Sequence, residues 1–350
     1  MCIRDRLRFL KPNIYQLEDG NSKRSIAGAY RVHEVLESGR KTTEVTFQIA
    51  AYDRFRTLVI DPVLTYAELI PGTEIIRGIQ VDSSGNIYIP GQSTTNGSLQ
   101  VTKLASDATT VLYTATISSS SPNLTGFAID SSGRAYLTGY TGPGYPTTTS
   151  AYQQNVGSGT HVIFTALDAT GHVSYSTYLA GSSTDEPEEL TADSSGKAYI
   201  AGETCSVDFP QTTGATLTGC WTPFIVKMDP SQSGAASLVY SNILANSDAY
   251  ALAAGLDGSN NLYVLLENVG GSNLEATSGA LNYTGEGSPQ GAYVEQLNTS
   301  GTPGYTAYVG PGTPYAIAVE PSGAVYICLL YTSSRAAPSP KFGQWIAEER

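Results

Sequence analysis

The stretch VDSSGNIYIPG, Val81–Gly91, decides how the chain is to be read, because it recurs. IDSSGRAYLTG runs from Ile129 to Gly139 and ADSSGKAYIAG from Ala192 to Gly202. Looser copies are LDGSNNLYV (Leu256–Val264) and VEPSGAVYI (Val319–Ile327). Their first acidic residues, Asp82, Asp130, Asp193, Asp257 and Glu320, are spaced 48, 63, 64 and 63. A near-fixed period of this size marks a repeat architecture, which must be read before any single residue.

Each copy is embedded in the same series of short alternating runs. A tyrosine-bearing run precedes it, centred on Tyr66, Tyr113, Tyr175, Tyr240 and Tyr305. A short run leads into the acidic residue, another follows the turn, and a fourth comes later as LQVTKL, VIFTALD, FIVKMD and AYVEQLN. Period-two alternation rich in β-branched and aromatic residues predicts half-buried strands, and no segment carries a helical period. Four antiparallel strands in about 60 residues is the pattern of a β-propeller blade. A lone blade cannot bury both faces, so blades must stack. The expected fold is all-β: residues 63–110, 111–172, 173–237 and 238–302 as four complete blades, 303–327 as a truncated fifth, and 7–62 as a small β-meander domain. MCIRDR (1–6) and the run from Cys328 to Arg350 resemble translated adaptor sequence, so the chain reads as a fragment whose remaining blades lie elsewhere in the same protein.

The turn itself can be derived. An aspartate at the first position accepts hydrogen bonds from the backbone two residues on. Gly85, Gly133, Gly196 and Gly323 supply the positive φ that closes a type I turn with a bulge. Asn260 takes that place in the fourth copy, being the side chain that best tolerates the left-handed region. Asp82, Asp130, Asp193 and Asp257 are therefore read as structural. A calcium role stays open, but each copy offers one carboxylate where calcium takes several oxygens.

Between the third and fourth runs lie GYPTTTSAYQ, DFPQTTGATL and LEATSGALN, ordered loops that could carry a binding surface or simply cover blade edges. Cys205 and Cys220 flank one of them. A local disulfide there would imply an oxidising, extracytoplasmic compartment; the alternative is two unpaired small residues.

The motifs together resemble the bacterial SBBP (seven-bladed β-propeller) repeat family. Tyr175-Ser-Thr-Tyr-Leu-Ala-Gly181 is similar to its tyrosine strand and Asp82–Gly91 to its hairpin. Asp208-Phe-Pro-Gln-Thr212 is similar to its loop and Val101-Thr-Lys-Leu104 to its last strand. AYDRFRTLVIDPVLTY (Ala51–Tyr66) resembles the approach to the propeller from a β-rich domain of unknown function. The resemblance implies an extracellular or cell-surface bacterial protein and implies no catalytic residues. The short first copy and the degenerate fourth hairpin depart from the pattern.

Net charge −12 argues against nucleic acid, which demands clustered Lys and Arg, and no apolar run is long enough to insert in a membrane. His33, His161 and His172 have no ligand-spaced partners, and no nucleophile-elbow, phosphate-loop or dinucleotide motif stands in its required context. The densest acidic run, Asp185-Glu186-Pro187-Glu188-Glu189, reads as a solvated loop, or, if it lines the propeller face, as a site for a cation or basic ligand. The functional expectation is a non-enzymatic scaffold that binds protein or glycan through its loops, with no cofactor. An extracellular hydrolase or lyase with its site at the propeller axis and a passive spacer in a larger adhesin are the alternatives.

Overall fold

The computed structural model describes residues 13–17, 22–37, 40–61, 75–93, 96–119, 122–215, 217, 219–246, 248–283 and 290–330. The turn at Glu18-Asp19-Gly20, the boundary at Pro62, Tyr66, and residues 1–6 and 331–350 lie outside them. Two compact units divide the chain between Leu69 and Ile70.

In the N-terminal unit, β1 (Asn13–Leu17) is the centre of a three-stranded sheet, with β2 (Lys23–Ser25) on one side and β5 (Leu58–Asp61) on the other. Between them β3 (Gly28–Glu37) and β4 (Arg40–Ile49) form a separate ribbon. This is not the expected meander, since β1 pairs with a strand about 40 residues on. Alternation locates strands; it does not name their partners. Gln16 ties the closure, donating to the carbonyls of Asp53 (2.6 Å) and Arg56 (3.1 Å).

The second unit is a row of sheets. The first holds β6 (Ile75–Ile76), β7 (Gln80–Val81), β8 (Ile87–Gln92), β9 (Leu99–Leu104) and β10 (Val111–Ile117). The second holds β11 (Asn123–Ile129), β12 (Ala135–Thr141), β13 (His161–Leu167) and β14 (Val173–Leu179). The third holds β15 (Asp185–Ala192), β16 (Ala198–Thr204), β17 (Thr222–Met228) and β18 (Leu238–Ile243). The fourth holds β19 (Ala249–Leu256), β20 (Leu262–Asn268), β21 (Gly291–Leu297) and β22 (Pro303–Gly310), and a fifth pair is β23 (Thr313–Val319) with β24 (Val325–Leu330). Every sheet is antiparallel, with strands in sequence order. No α-helix occurs among the described residues, only a 3-10 turn at Gly234–Ser237.

The sheets pack face to face. The first strands touch in succession, β11 against β15, β15 against β19 and β19 against β23. One apolar layer fills each gap: Tyr88, Val101, Leu137 and Ile163 between sheets one and two, Tyr136, Phe164, Ile200 and Phe224 between two and three, and Tyr199, Ile225, Val264 and Tyr293 between three and four. Sheets stacked face to face through successive first strands are blades, and the unit is a β-propeller array of four four-stranded blades and a two-stranded fifth.

The blades are offset by one strand from the sequence repeats. The tyrosine strand, taken from sequence as the first strand of its own blade, is the last strand of the preceding one: β10 (Tyr113) pairs with β9, β14 (Tyr175) with β13 and β18 (Tyr240) with β17. A period fixes the length of a repeat and leaves its phase free. The phase is set by tight turns before each tyrosine strand. Asp168 Oδ1 accepts from Thr170 N and His172 N, and Asn298 Oδ1 from Ser300 N and Thr302 N, with Gly171 and Gly301 at φ 88° and 83°. LDATGHV and LNTSGTP were legible as hairpins of the same chemistry as DSSG.

Two further departures are local. In blade one, Pro90 sits in β8 and has no N–H to give, and the innermost strand is broken into β6 and β7 around Arg77–Ile79. At the other end, β24 continues through Cys328 to Leu330, with Cys328 opposite Ala316, past the residue where the sequence pattern stops.

Candidate functional site

The recurring turn is built from its own consensus. Asp82, Asp130, Asp193 and Asp257 each accept, at Oδ1, backbone N–H groups two and four residues on, at 2.8–3.1 Å. Each offers Oδ2 to the tyrosine six residues on: Tyr88 (3.2 Å), Tyr136 (2.7 Å), Tyr199 (3.0 Å) and Tyr263 (3.5 Å). In the fifth copy Tyr326 donates to Glu320 at 2.9 Å. The fourth turn position is at φ 80°, 77°, 85°, 61° and 88° for Gly85, Gly133, Gly196, Asn260 and Gly323. The tyrosines also staple neighbouring blades, for Tyr88 and Tyr136 reach the carbonyls of Gly133 and Gly196 in the next blade's turn. Lys103 adds to this, with Nζ 4.6 Å from the Tyr88 ring centre and 3.7 Å from Asp82. Burial opposes the charge on Asp193, but donors from Ser195, Lys197 and Tyr199 outweigh it and hold its carboxyl below the usual range. These carboxylates spend their oxygens on the fold.

The acidic run lies not in a solvated loop but in β15, the first strand of blade three. Strand β15 bulges there: Pro187 pairs with Gly202 and Glu189 with Ala201, leaving Glu188 as the extra residue. Bulges recur at Thr125, Leu252 and Tyr315, so the position is general and its side chain variable. A bulge re-aims a side chain. Here it sets Glu188 near Glu203 of β16, while Glu186 stands directly opposite Glu203. Glu203 is only 4% exposed and its Oε2 has no hydrogen-bond partner. Burial first, then the charges of Glu188 and Glu186, push its carboxyl up to about 9. Glu188 and Glu186 are also raised, mainly by burial. At neutral pH the Glu203 carboxyl therefore holds its proton.

That proton gives a stability prediction. A carboxyl raised from about 4.5 to about 9 contributes stability that is complete below its unfolded pKa and is lost as pH rises through the folded one. The melting temperature is expected to fall between about pH 5 and 9, and Glu203→Gln to flatten that fall. Parallel melting curves for parent and variant across this range would remove Glu203 from the account.

Two aromatic rings belong to this end of the blade, Tyr250 within reach of the Glu203 charge and Trp221 against Tyr250. Trp221 follows the Cys205–Cys220 bridge and has φ 55°, a conformation bulky residues rarely adopt. It is 36% exposed, and its ring lies 6.0 Å from that of Tyr250 on β19. The charges of Glu203 and Glu267 add to burial in raising the Tyr250 hydroxyl. Trp221 escaped the sequence reading because only backbone geometry sets it apart; its place after a loop-closing cysteine was the available signal.

The bridge has Cα atoms 4.0 Å apart, within disulfide reach, and closes the loop between β16 and β17. Cys205→Ser/Cys220→Ser is expected to cost about 3 kcal/mol, as for a loop near 15 residues. Mass spectrometry of the unreduced chain should give a cross-linked peptide, and free thiols at both positions would refute the pairing.

The histidines do not gather. His161 is 1% exposed, its Nδ1 3.3 Å from Asp185 Oδ2; Asp185 also accepts from Thr204 Oγ1 (2.5 Å) and Gly181 N (2.9 Å). His172 is at the surface, 2.9 Å from Thr170 Oγ1, and His33 lies in β3.

A domain family described as "Domain of unknown function (DUF7948)" matches residues 4–63, in the N-terminal unit. No curated protein sequence matches the chain. Among solved structures, the chain is similar to the Dos1 propeller at 10% identity and TM-score 0.42, covering 91% of this chain and 66% of that one. It is similar to the β-propeller domain of the trilobed protease from Pyrococcus furiosus at 9% identity and TM-score 0.41, covering 91% and 78%. It is also similar to Kuenenia stuttgartiensis hydrazine synthase at 12% and 0.36, covering 74% and 77%. No helix among the described residues is long and apolar enough to cross a membrane.

Proposed function

We propose that this chain is a non-enzymatic binding module of an extracellular or cell-surface protein, one that takes a protein or glycan ligand where Trp221 packs against Tyr250 near Glu203. The observation that carries this reading is Trp221: an indole ring, one-third exposed, held at a positive φ and tilted against Tyr250. Such backbone persists where the surroundings over-determine it, and aromatic rings near a carboxyl suit ligand contact. The Cys205–Cys220 bridge supports an oxidising compartment. The SBBP-like motifs support a surface repeat protein and kinship with that family.

One observation favours the hydrolase or lyase alternative. Glu203, its carboxyl raised to about 9, stands near a second carboxyl, Glu188, and acid–base cleavage uses a protonated acid beside a second carboxyl. Against it, Glu203 is only 4% exposed, whereas glycoside cleavage needs carboxyls about 5–9.5 Å apart with the scissile bond between them.

The test is a glycan array and a peptide library probed with the parent chain and with Trp221→Ala. Binding by the parent that the variant loses by tenfold or more is the expected result. No binding on either surface would leave the spacer alternative, and turnover of a bound glycan that Glu203→Gln abolishes would establish the hydrolase.

A further inference from the structure

The blades serve as internal controls for one another. Thr148, Thr212 and Thr277 each donate their N–H to the outer strand, to the carbonyls of Ser176, Ser241 and Thr306, which aligns the three long loops residue by residue. In that alignment Tyr145, Phe209 and Leu274 are equivalent, and so are Thr165, Val226 and Glu295, each opposite the same outer-strand residue. Blade two pairs like with like, as Tyr145 Oη and Thr165 Oγ1 hydrogen-bond at 2.8 Å. Blade three does the same with apolar groups, Phe209 and Val226 sharing one core cluster. Blade four does not: Leu274 is buried and its side chain is purely apolar, while its counterpart is a carboxyl.

Glu295 is 6% exposed, with burial the one influence on its acidity, and that pushes it up to about 7. Among the described residues its carboxyl has neither hydrogen bond nor ion pair. The fold does not ask for this carboxyl, since Val226 fills the same place one blade earlier. From the facing blade comes Tyr240, 4% exposed, with a hydroxyl that also has no hydrogen-bond partner. Both line one pocket of about 340 Å3, with Thr212, Asn242, Ser300 and Thr302. Stranding the Tyr240 hydroxyl beside an unpaired carboxyl costs stability, roughly 1–3 kcal/mol for a buried unpaired group in general, unless something pairs with it.

We propose that this pocket between blades three and four binds a saccharide, with Glu295 accepting a hydrogen bond from a sugar hydroxyl and Tyr240 donating one. A hydroxyl both donates and accepts, so a polyol answers the phenol and the carboxyl at once; an ammonium ion has no acceptor for the phenol. The other polar groups of the lining, hydroxyls and an amide, are of the same kind, the apolar Ile243, Leu244 and Pro303 lie beside them, and the volume is in the range of small-molecule pockets. This site does not depend on the acidic end at Trp221.

The test titrates the full chain with D-glucose, D-galactose, D-mannose and N-acetyl-D-glucosamine, using saturation-transfer NMR and calorimetry, with methylammonium as control. At least one sugar is expected to bind saturably, and at least tenfold more weakly in Glu295→Val and in Tyr240→Phe. Glu295→Val should melt at or above the parent temperature, because it copies blade three. A lower melting temperature in that variant would make Glu295 structural and overturn the assignment. So would failure of all four sugars, unaltered sugar binding in both pocket variants, or binding of methylammonium alone.

Discussion

Gly202→Leu is expected to cost about 4 kcal/mol and lower the melting temperature by on the order of 10 °C. Gly202 ends the third copy of the motif, as Gly139 ends the second. Its φ is not the constraint; space is. A Cβ there would run into the carbonyl oxygen of Glu186, lie 2.7 Å from the Pro187 Cα and press on the Phe224 ring. At Gly139 the obstacles are the Asn123 carbonyl oxygen and the Leu124 Cα. All but the phenyl ring are backbone atoms of the bulged first strand, which cannot rotate away. Blade four shows the limit of the rule, for Leu266 occupies the same place opposite Ala251. The glycine is thus needed where the first strand closes in, and Leu266→Gly should leave a cavity instead, costing about 3 kcal/mol. Thermal melts of both variants decide the matter. An unchanged midpoint for Gly202→Leu would mean that β15 moves outward freely, and the close approach would lose its significance.

The same glycine shows what a sequence can and cannot disclose. Strand positions, blade number and turn chemistry were legible because they depend on period two, on repetition and on residues with special φ. The role of the final glycine was not, because it depends on a strand that arrives from another part of the repeat. Blade phase failed for a related reason: DSSG was recognised as a hairpin, while LDATGH, which does the same work one strand later, was not weighed against it. The acidic run was misplaced because charge density suggests solvent, whereas Pro187 and the bulge put Glu186 and Glu188 on a strand facing Glu203. Proximity of Glu188 to Glu203, fifteen residues on, depends on register. Trp221 and Glu295 stand out only against backbone angle and the other blades, so neither had a local signature.

Asp193→Ala should be about as damaging, roughly 4 kcal/mol, and for a reason confined to polar groups. Oδ1 accepts from Ser195 N (2.9 Å), Ser195 Oγ (2.6 Å) and Lys197 N (3.0 Å), and Oδ2 accepts from Tyr199. Alanine removes them all. Tyr199 is fully buried, so its hydroxyl would be left with no acceptor, and a stranded polar group costs more than the bond itself was worth. Tyr199→Phe alone should be milder, and Asp193→Ala/Tyr199→Phe should be less destabilised than the sum of the two, since the phenyl ring strands nothing. The pH dependence follows from the sign of the shift. The Asp193 carboxyl is held below its usual range, so its contribution is present above the unfolded pKa of about 4 and is lost as pH falls through the folded one. The gap between parent and Asp193→Ala is therefore expected to be constant from pH 5 to 7 and to narrow below about pH 4. Urea melts at pH 7 and pH 3 measure it. Strict additivity of the two substitutions, or a gap as wide at pH 3 as at pH 7, would sever the link between aspartate and tyrosine on which the recurring stretch is explained.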